Sequence, residues 1–348
     1  MSWERTLDRY GSLIEKRVKS YFTEVAKEAG GYHPFIAQVY ADLEEFVIRK
    51  GKRLASCSTL IAYKGYKGKV DNMILDVCAG IEIYRHSILI HDDLVDADNL
   101  RRGGKSLHRA FAENHNSRFG QGMAVFMGNI AYALAFNAIM NSKFPEEKIA
   151  RLMLLLSKSC QEVNESQILD LLFEYKNVDA NEWRVMASKR AASLFKATIL
   201  IGAVLGDAPE SDLKQLEDAA RNMGYSFDIQ DDIIDTFASE KQYGRPPCGD
   251  IIRGKKPLHV VHALNSENQE KTGKLTGFIR KKNLNEEDVD RIRMIIKESG
   301  GLKNAKEELR AHAEKATALI TQTSLSNEAK KFFNSLIAYI VESLNWYN

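Results

Sequence analysis

Two short segments of identical form each place three aspartates within five otherwise apolar positions. The first is Asp92-Asp93-Leu94-Val95-Asp96, and the second is Asp231-Asp232-Ile233-Ile234-Asp235. Their flanks are also mainly apolar, so neither segment resembles a charged run on the outer face of a helix. Carboxylates among apolar neighbours are costly to bury unless a cation balances them. The chain must therefore fold so that each cluster meets a cation.

The spacing of these aspartates indicates which cation they bind. If the segments are helical, the first and last aspartates of a cluster project from one face, so Asp92 and Asp96 can converge on one ion that Asp93 supports. Oxygen ligands suit Mg²⁺, which prefers one or two carboxylates, waters and substrate phosphates. The alternative is an ordinary acidic patch, since short motifs often occur by chance. Two matched copies favour a magnesium-bound diphosphate.

Composition excludes several other classes of function. At 348 residues with 44% hydrophobic content, the chain can bury a sizeable core, in one domain or two. The net charge is only +2 and no nucleic-acid motif stands out, so we expect no nucleic-acid partner. The four cysteines form no CxxC pair, which argues against zinc and against a disulfide framework. We therefore expect a cytoplasmic protein.

No segment predicts stable insertion into a membrane. The N-terminal residues are amphipathic and charged, and they lack the apolar stretch of a secretory signal. The stretch from Met123 to Met140 is apolar, but Gly128, Asn129 and Asn137 interrupt it and it is close to the minimum length for a span. We expect this stretch to be a buried central helix.

The rest of the chain predicts an all-α fold. Apolar residues recur at helical spacing, as in Phe333, Ile337, Ile340 and Leu344, and no segment shows sustained two-residue alternation. Glycine and proline indicate helix breaks around residues 30–34, 64–70, 102–104, 144–145, 206–209, 244–247 and 300–301. We expect residues 1–348 to form a single domain, a helical bundle around a central cavity.

Five landmarks in order make the chain resemble the trans-isoprenyl diphosphate synthases, also called polyprenyl synthetases, over nearly its whole length. The two aspartate motifs are two of the five, and in chain order they are the first and the fourth. The others are the Arg101-Arg102 pair, the Gln167-Ile168-Leu169-Asp170-Leu171 segment, and a closing loop with Gly244-Arg245-Pro246, Asp250 and Gly254-Lys255-Lys256.

The resemblance implies a trans-prenyltransferase that joins isopentenyl diphosphate head-to-tail to an allylic diphosphate. Three Mg²⁺ ions would bridge the allylic diphosphate to Asp92, Asp96 and Asp231, with Asp93, Asp232 and Asp235 as further ligands or supports. Neutralising the departing diphosphate lets the carbon–oxygen bond ionise to an allylic cation. The isopentenyl double bond then attacks this cation.

The resemblance also implies which basic and polar residues hold the two substrates. Arg101 and Lys255 are expected on the allylic diphosphate, and Lys255 is also counted among the catalytic residues. Lys52, Arg53 and Arg102 are expected on isopentenyl diphosphate. Further expected substrate-binding residues, by their place in the motifs, are Gln167, Arg190 and Asp228.

The sequence departs from the family pattern mainly on the isopentenyl side. Ala55 stands where a phosphate-binding arginine is usual, and Arg85 stands where a histidine is usual, with His86 next to it. The guanidinium of Arg85 is expected to replace the charge lost at Ala55. Elsewhere the usual lysine, glutamine, lysine and glycine are replaced by Arg190, Asp228, Arg245 and Cys248. Arginine keeps the charge of lysine but not its geometry.

Three residues before the first motif bear on product length: Tyr84, Ser87 and Ile88. In the family the product tail grows beneath this motif until a bulky side chain stops it. Ser87 is too small to stop it, whereas Tyr84 lies eight residues before Asp92, about 12 Å along a helix. Tyr84 then favours geranylgeranyl diphosphate or a somewhat longer product. Plain core packing is the alternative role for Tyr84, and Met123, Phe126 and Met127 are alternative residues to close the cavity.

Two other functions compete with chain elongation. A class I terpene cyclase, or a prenyltransferase with an altered acceptor, would also ionise an allylic diphosphate, but a cyclase normally carries a different second metal motif. A non-catalytic regulatory subunit would have no reason to keep six carboxylates in apolar surroundings. The resemblance further implies a homodimer.

Overall fold

The computed structural model describes residues 3–243, 245–281 and 283–343, and within them it is built of helices joined by short turns. The all-α prediction is confirmed, since the two strands are two residues long and pair only with each other. Gly244 of the predicted closing loop and Leu344 of the last apolar pattern lie outside the described residues. In chain order the elements are α1 Trp3–Tyr32, α2 Pro34–Ile48, α3 Leu54–Lys67, α4 Asn72–Val95, β1 Leu100–Arg101, β2 Gly104–Lys105, α5 Leu107–Glu113, α6 Ser117–Met140, α7 Glu146–Phe173, α8 Ala180–Ala187, α9 Ala191–Leu205, α10 Glu210–Phe237, α11 Glu240–Tyr243, α12 Gly249–Arg253, α13 Leu258–Leu264, α14 Gln269–Thr276, α15 Glu286–Glu298, α16 Gly301–Gln322 and α17 Asn327–Ser343.

Local sequence accounts for where several helices begin. Pro34 occupies the first turn of α2 behind His33, whose side chain accepts the backbone N–H of Phe35. Asp71 caps α4 by accepting the backbone N–H of Ile74 at 3.1 Å. Asn285 and the N3 carboxylate of α15 form a reciprocal capping box. Such caps satisfy backbone N–H groups that have no partner within the helix, which fixes the start of each helix.

The described chain falls into two compact units. Unit 1 holds residues 3–154, 200–208 and 325–332. Its centre is the packing of α4 against α6, with α1, α2 and α3 against the same region and α5 against α6. Gly80 makes the close approach of α4 and α6 possible, because a Cβ there would lie 2.6 Å from a side-chain carbon of Ile139 and 2.8 Å from the carbonyl of Ala135. Unit 1 carries the first aspartate motif.

Unit 2 holds the described residues of 155–199, 209–324 and 333–343. Its most extensive helix packing is that of α10 against α16, and α13 packs against both α8 and α16. The fully buried Trp183 belongs to its apolar core, together with side chains of α10, α13, α15 and α16. Unit 2 carries the second aspartate motif. The prediction that residues 1–348 form one domain stays a prediction.

Helix α6 contains the apolar stretch from Met123 to Met140. By length and composition alone it could cross a membrane, but 44% of its apolar window is buried within the protein. Met127, Ala131 and Ala135 are buried where α6 faces α4. Helix α6 therefore has one face buried against α4 and another on which Val125, Phe126 and Met140 are exposed.

Gly80→Ala tests the close approach of α4 and α6. The added methyl group would meet backbone as well as side chain, so we expect a loss of about 1–3 kcal/mol in the free energy of unfolding. Urea denaturation of both proteins measures this change. The control is Gly31→Ala, where a Cβ meets nothing within 4 Å, and this variant should be unchanged or more stable by up to about 1 kcal/mol. Equal stability of Gly80→Ala and the parent would contradict the packing described.

Candidate active site

The first aspartate motif lies at the C-terminal end of α4. Asp92 and Asp93 belong to its last turn, and Asp96 is the C-cap residue, whose backbone N–H donates to the Asp92 carbonyl at 2.8 Å. The expected helical spacing is therefore present. The C-terminal end of a helix carries partial negative charge, so three carboxylates placed there repel both the helix dipole and one another. This end of α4 strongly favours a cation.

Arg101 supplies part of the missing positive charge. Its Nε donates to Asp93 Oδ1 at 2.6 Å, and its Nη2 lies 3.3 Å from Asp92 and 3.6 Å from Asp98. Burial raises the pKa of Asp93 to about 6 although Arg101 opposes this shift. Arg101 thus binds the motif itself in this structure, and its expected contact with the allylic diphosphate stays a prediction.

The first motif fits a hard divalent cation. In the part of the chain that the structure describes, Asp93 Oδ2 is buried and no protein group donates a hydrogen bond to it. Asp92 and Asp96 are only partly buried. Among the described residues no group of three or more acidic, His or Cys side chains could hold a metal unaided. The partly buried Asp92 and Asp96 beside the buried oxygen of Asp93 suit Mg²⁺, which takes few carboxylates and completes its shell with water and phosphate oxygens.

Arg53, expected on isopentenyl diphosphate, is only 5% exposed. It donates to Glu82 at 3.1 Å, to Glu15 at 3.0 Å and to two backbone carbonyls of the 47–48 segment. Burial would raise the pKa of Glu82, but nearby charges and a hydrogen bond from Ser56 outweigh it, so this pKa is lowered. Arg53 therefore balances a buried carboxylate, and its substrate contact remains a prediction.

The other expected isopentenyl residues lie nearer the surface. The ammonium of Lys52 lies 5.4 Å from the centroid of the Trp3 ring. Burial lowers the pKa of Arg102, and the charge of the partly buried Arg85 lowers it further. Arg102 is exposed, and its Nη1 lies 2.9 Å from Nε2 of His86. Of the cations expected on isopentenyl diphosphate, Lys52, Arg85 and Arg102 are therefore more accessible to a ligand than Arg53.

In unit 2, Arg190 binds three carboxylates from two helices. Its Nε donates to both oxygens of Asp228 at 2.8 and 2.7 Å, and its Nη2 donates to Asp232 at 3.0 Å. Asp170 of α7 lies 3.6 Å from Nη1 and 3.1 Å from the ammonium of Lys255. Burial raises the pKa of Asp228 to about 6 against the effect of Arg190. Arg190 and Asp228 thus bind each other, and their expected substrate contacts stay predictions.

The second motif is buried at two of its three aspartates. Asp232 and Asp235 are buried near the end of α10, whereas Asp231 is exposed. Asp235 accepts the backbone N–H of Asp250 at 3.0 Å. Burial and the charge of Asp250 raise the pKa of Asp235 to about 8. Asp231 is the carboxylate of this motif best placed to take a metal from solvent.

The loop after α10 contains a strained residue. Cys248, which stands where the family has glycine, is buried and has φ of 62°. L-residues other than glycine, asparagine and aspartate rarely adopt this left-handed conformation. The backbone thus keeps a shape that suits glycine.

Gln167 of α7 is partly buried. Its expected role in substrate binding stays a prediction.

The residues expected to limit product length lie on α4, and their role stays a prediction. Tyr84 is fully buried on α4, with its ring centroid 6.1 Å from that of Tyr132 on α6. The ring of Tyr132 in turn lies 4.5 Å from Phe136. Ser87 is buried, and Ile88 is partly buried. Of the alternative residues to close the cavity, Met127 is buried and Phe126 is 67% exposed, and this alternative stays a prediction.

Sequence reasoning missed the pairing of Glu82 with His86 and the contact of Tyr132 with Tyr84. Glu82 and His86 lie four residues apart on α4, and helical spacing alone could have paired them. Tyr132 is hidden in an apolar stretch whose composition marks only a core helix. Its proximity to Tyr84 depends on how α4 and α6 pack, which no local pattern reveals.

Fold and site together define a class: an all-α protein with two aspartate motifs at helix ends, each held by a guanidinium. The sequence profile of the polyprenyl synthetase family matches residues 37–296. The short chain isoprenyl diphosphate synthase of Methanocaldococcus jannaschii is 31% identical over 81% of this chain and 83% of its own length. The geranylfarnesyl diphosphate synthase of Aeropyrum pernix is 30% identical over 84% of this chain and 90% of its own.

A solved structure has the same fold. It is the geranylgeranyl pyrophosphate synthase of Corynebacterium glutamicum, complexed with isoprenyl diphosphate and magnesium, with a TM-score of 0.90 and 19% identity over 98% of this chain and 99% of that one. The chain belongs to the polyprenyl synthetase family.

Asp235→Asn tests the cost of burying the second motif. The folded carboxyl has a pKa of about 8 against an ordinary 3.8, so between these values the folded state holds a proton that the unfolded state loses. The free energy of unfolding must then fall as pH rises from about 4 to about 8. The amide removes this loss and keeps an acceptor for Asp250. In EDTA at pH 8 we expect the variant to be more stable by about 1–2 kcal/mol.

Urea denaturation at pH 5 and pH 8 measures this effect, and the two proteins should differ little at pH 5. The same slope of stability against pH in both proteins would show that Asp235 is ionised without penalty.

Proposed function

We propose that this chain condenses isopentenyl diphosphate head-to-tail with an allylic diphosphate to give a linear all-trans prenyl diphosphate of geranylgeranyl length or somewhat longer. The observation that carries the proposal is the pair of matched aspartate motifs in a chain of the polyprenyl synthetase family. The names of its relatives, a short chain synthase and a geranylfarnesyl diphosphate synthase, support elongation.

The proposed site residues divide into two groups: those that are exposed or partly buried, and those that are buried. Asp92, Asp96 and Asp231, which are exposed or partly buried, are proposed to hold magnesium with the allylic diphosphate, with three ions expected per site. When bound, Mg²⁺ supplies the positive charge that lets the diphosphate leave. Asp93 and Asp235 are proposed as further ligands, which fits the buried and unsatisfied Oδ2 of Asp93.

Two arginines hold part of each aspartate motif in place. Arg101 fixes Asp92 and Asp93, and Arg190 fixes Asp232, before substrate arrives. Little reorganisation is then needed when charge develops on the leaving group. Lys255, beside Asp170 at 3.1 Å, is proposed to contact the allylic diphosphate. Lys52, Arg85 and Arg102 are proposed to bind the second diphosphate, which positions the double bond for attack.

The competing functions have less support. A terpene cyclase is not among the named relatives described above, and the second motif keeps all three aspartates. A non-catalytic subunit would carry buried carboxylates with raised pKa values without any use for them.

The test is incubation of the purified chain with Mg²⁺, labelled isopentenyl diphosphate and, separately, dimethylallyl, geranyl, farnesyl and geranylgeranyl diphosphates, with products identified by mass spectrometry. We expect elongated linear products. Asp231→Asn should lower kcat by a factor of about 10² or more, because it removes an electrostatic contact to the leaving group. Asp218→Asn, an exposed change on the same helix, is the matched control and should retain activity.

A cyclic product, or hydrolysis of the allylic diphosphate without consumption of isopentenyl diphosphate, would overturn the proposed condensation. Equal kcat in Asp231→Asn and the control would remove Asp231 from the metal site.

Tyr84→Ala should lengthen the product, because it removes a fully buried ring beneath the first motif. Tyr132→Ala should act in the same direction, since its ring lies against Tyr84. Product length is measured by mass spectrometry after turnover with farnesyl diphosphate. Tyr63→Ala, another fully buried tyrosine, on α3, controls for general loosening and should leave the product unchanged. The same products from Tyr84→Ala and the parent would assign Tyr84 to core packing.

We further infer a homodimer in the cytoplasm. The exposed face of α6 carries Val125, Phe126 and Met140, which a second copy would cover. All four cysteines are free thiols, and three of them are buried, which suits a reducing compartment.

A further inference from the structure

Arg102 occupies a conformation that its own backbone disfavours. It is the first of two residues that join β1 to β2, with φ of 53° for Arg102 and 81° for Gly103. Two successive positive φ values define the tight hairpin turn in which glycine and asparagine are usual. The turn is held from outside, because Arg49 Nη1 donates to the carbonyls of Arg101 and Lys105 at 3.3 and 2.8 Å. An arginine in this strained place indicates that its side chain is used.

His86 receives that side chain. Its ring is 1% exposed, packs edge-on against Phe46 at 5.9 Å, and places Nε2 at 2.9 Å from Nη1 of Arg102. A guanidinium can only donate, so Nε2 must accept. The proton of a neutral ring then lies on Nδ1, which donates to the Glu82 carbonyl at 2.7 Å. Burial lowers the pKa of His86 to about 4, so the ring stays neutral at pH 7.

Gly51 provides the space for the guanidinium. A Cβ at position 51 would lie 2.6 Å from both Cζ and Nη1 of Arg102. Burial lowers the pKa of Arg102, and the charges of Arg85, Arg53 and Arg101 lower it further, whereas Glu82 raises it. Since its partner His86 is neutral, the charge of Arg102 is not cancelled by that hydrogen bond. Arg102 can therefore pair with an anion, and a diphosphate is the anion that the proposed reaction supplies.

We propose that His86 is a positioning residue that holds the guanidinium of Arg102, in the space left by Gly51, to bind the diphosphate of the acceptor substrate. The inference rests on the proposed function for the identity of this substrate. It assigns to His86 and Gly51 a part in acceptor binding. It also accounts for a turn that keeps arginine where glycine or asparagine would be relaxed.

Direct binding is the primary test. Isothermal titration of isopentenyl diphosphate, and separately of inorganic pyrophosphate, is carried out in EDTA so that metal-dependent binding does not contribute. His86→Leu removes the acceptor but keeps an apolar side chain of similar size, and we expect Kd to rise about tenfold. His86→Gln keeps an acceptor near the position of Nε2, and its Kd should stay within about threefold of the parent.

Gly51→Ala tests the same site without altering a buried group. The added methyl group displaces the end of a flexible side chain, so stability should be unchanged while Kd rises about tenfold. Gly31→Ala, where a Cβ meets nothing, is the control. This variant decides the matter if His86→Leu fails to fold.

Turnover adds a second readout. The KM for isopentenyl diphosphate should rise about tenfold in His86→Leu and Gly51→Ala, with kcat and the KM for the allylic substrate within about twofold of the parent. A merely structural role would change all three constants and would not be rescued by His86→Gln.

The two proposals fail separately. If the parent binds pyrophosphate more tightly than both variants but makes no elongated product, the condensation is wrong and the role of His86 stands. If the parent elongates but Kd and KM are the same in the parent and both variants, or if the parent binds neither ligand in EDTA, the role of His86 and Gly51 is overturned.

Discussion

One guanidinium at each aspartate motif is the interaction on which the site depends. Arg101 binds Asp92, Asp93 and Asp98, and Arg190 binds carboxylates from α7 and α10. Removing either cation would leave several desolvated carboxylates together, which costs far more than the ion pairs themselves contribute. Arginine suits this place because its planar fork reaches several carboxylates at once and cannot lose its proton. The arginines thus allow acidic residues to be buried at all.

Each of these two arginines has more carboxylates around it than it can neutralise. The buried aspartates lie against the arginine, and the more exposed ones keep their negative charge. Asp93 and Asp232 lie against the guanidiniums, with burial raising the pKa of both. Asp231 stays exposed and Asp96 partly so. Both motifs also end their helices, where the partial charge of the backbone is negative. Residual negative charge therefore faces outward, where a divalent cation can balance it without a cage of protein ligands.

Much of the helical framework could be predicted from the sequence because its signals are local. The break expected at residues 30–34 separates α1 from α2, the one at 206–209 separates α9 from α10, and the one at 300–301 begins α16. The partners of the charged residues could not be predicted in this way. Arg190 is 38 positions from Asp228, and Arg53 is 29 positions from Glu82. Such pairs form only after helices pack, and a motif names the residues without naming their partners.

Packing also decides which cations remain available to a ligand. Arg53 and Arg102 each carry one positive charge. By the resemblance to the family, both are expected to bind the diphosphate of the acceptor substrate. Arg53 pairs with Glu82. This carboxylate is buried, so leaving it without a cation would cost more free energy than leaving an anion unpaired in water. Arg102 instead meets a neutral ring, which orients the guanidinium without cancelling its charge. Arg102 thus keeps a charge that its hydrogen-bond partner does not cancel, whereas the charge of Arg53 is balanced by a buried carboxylate.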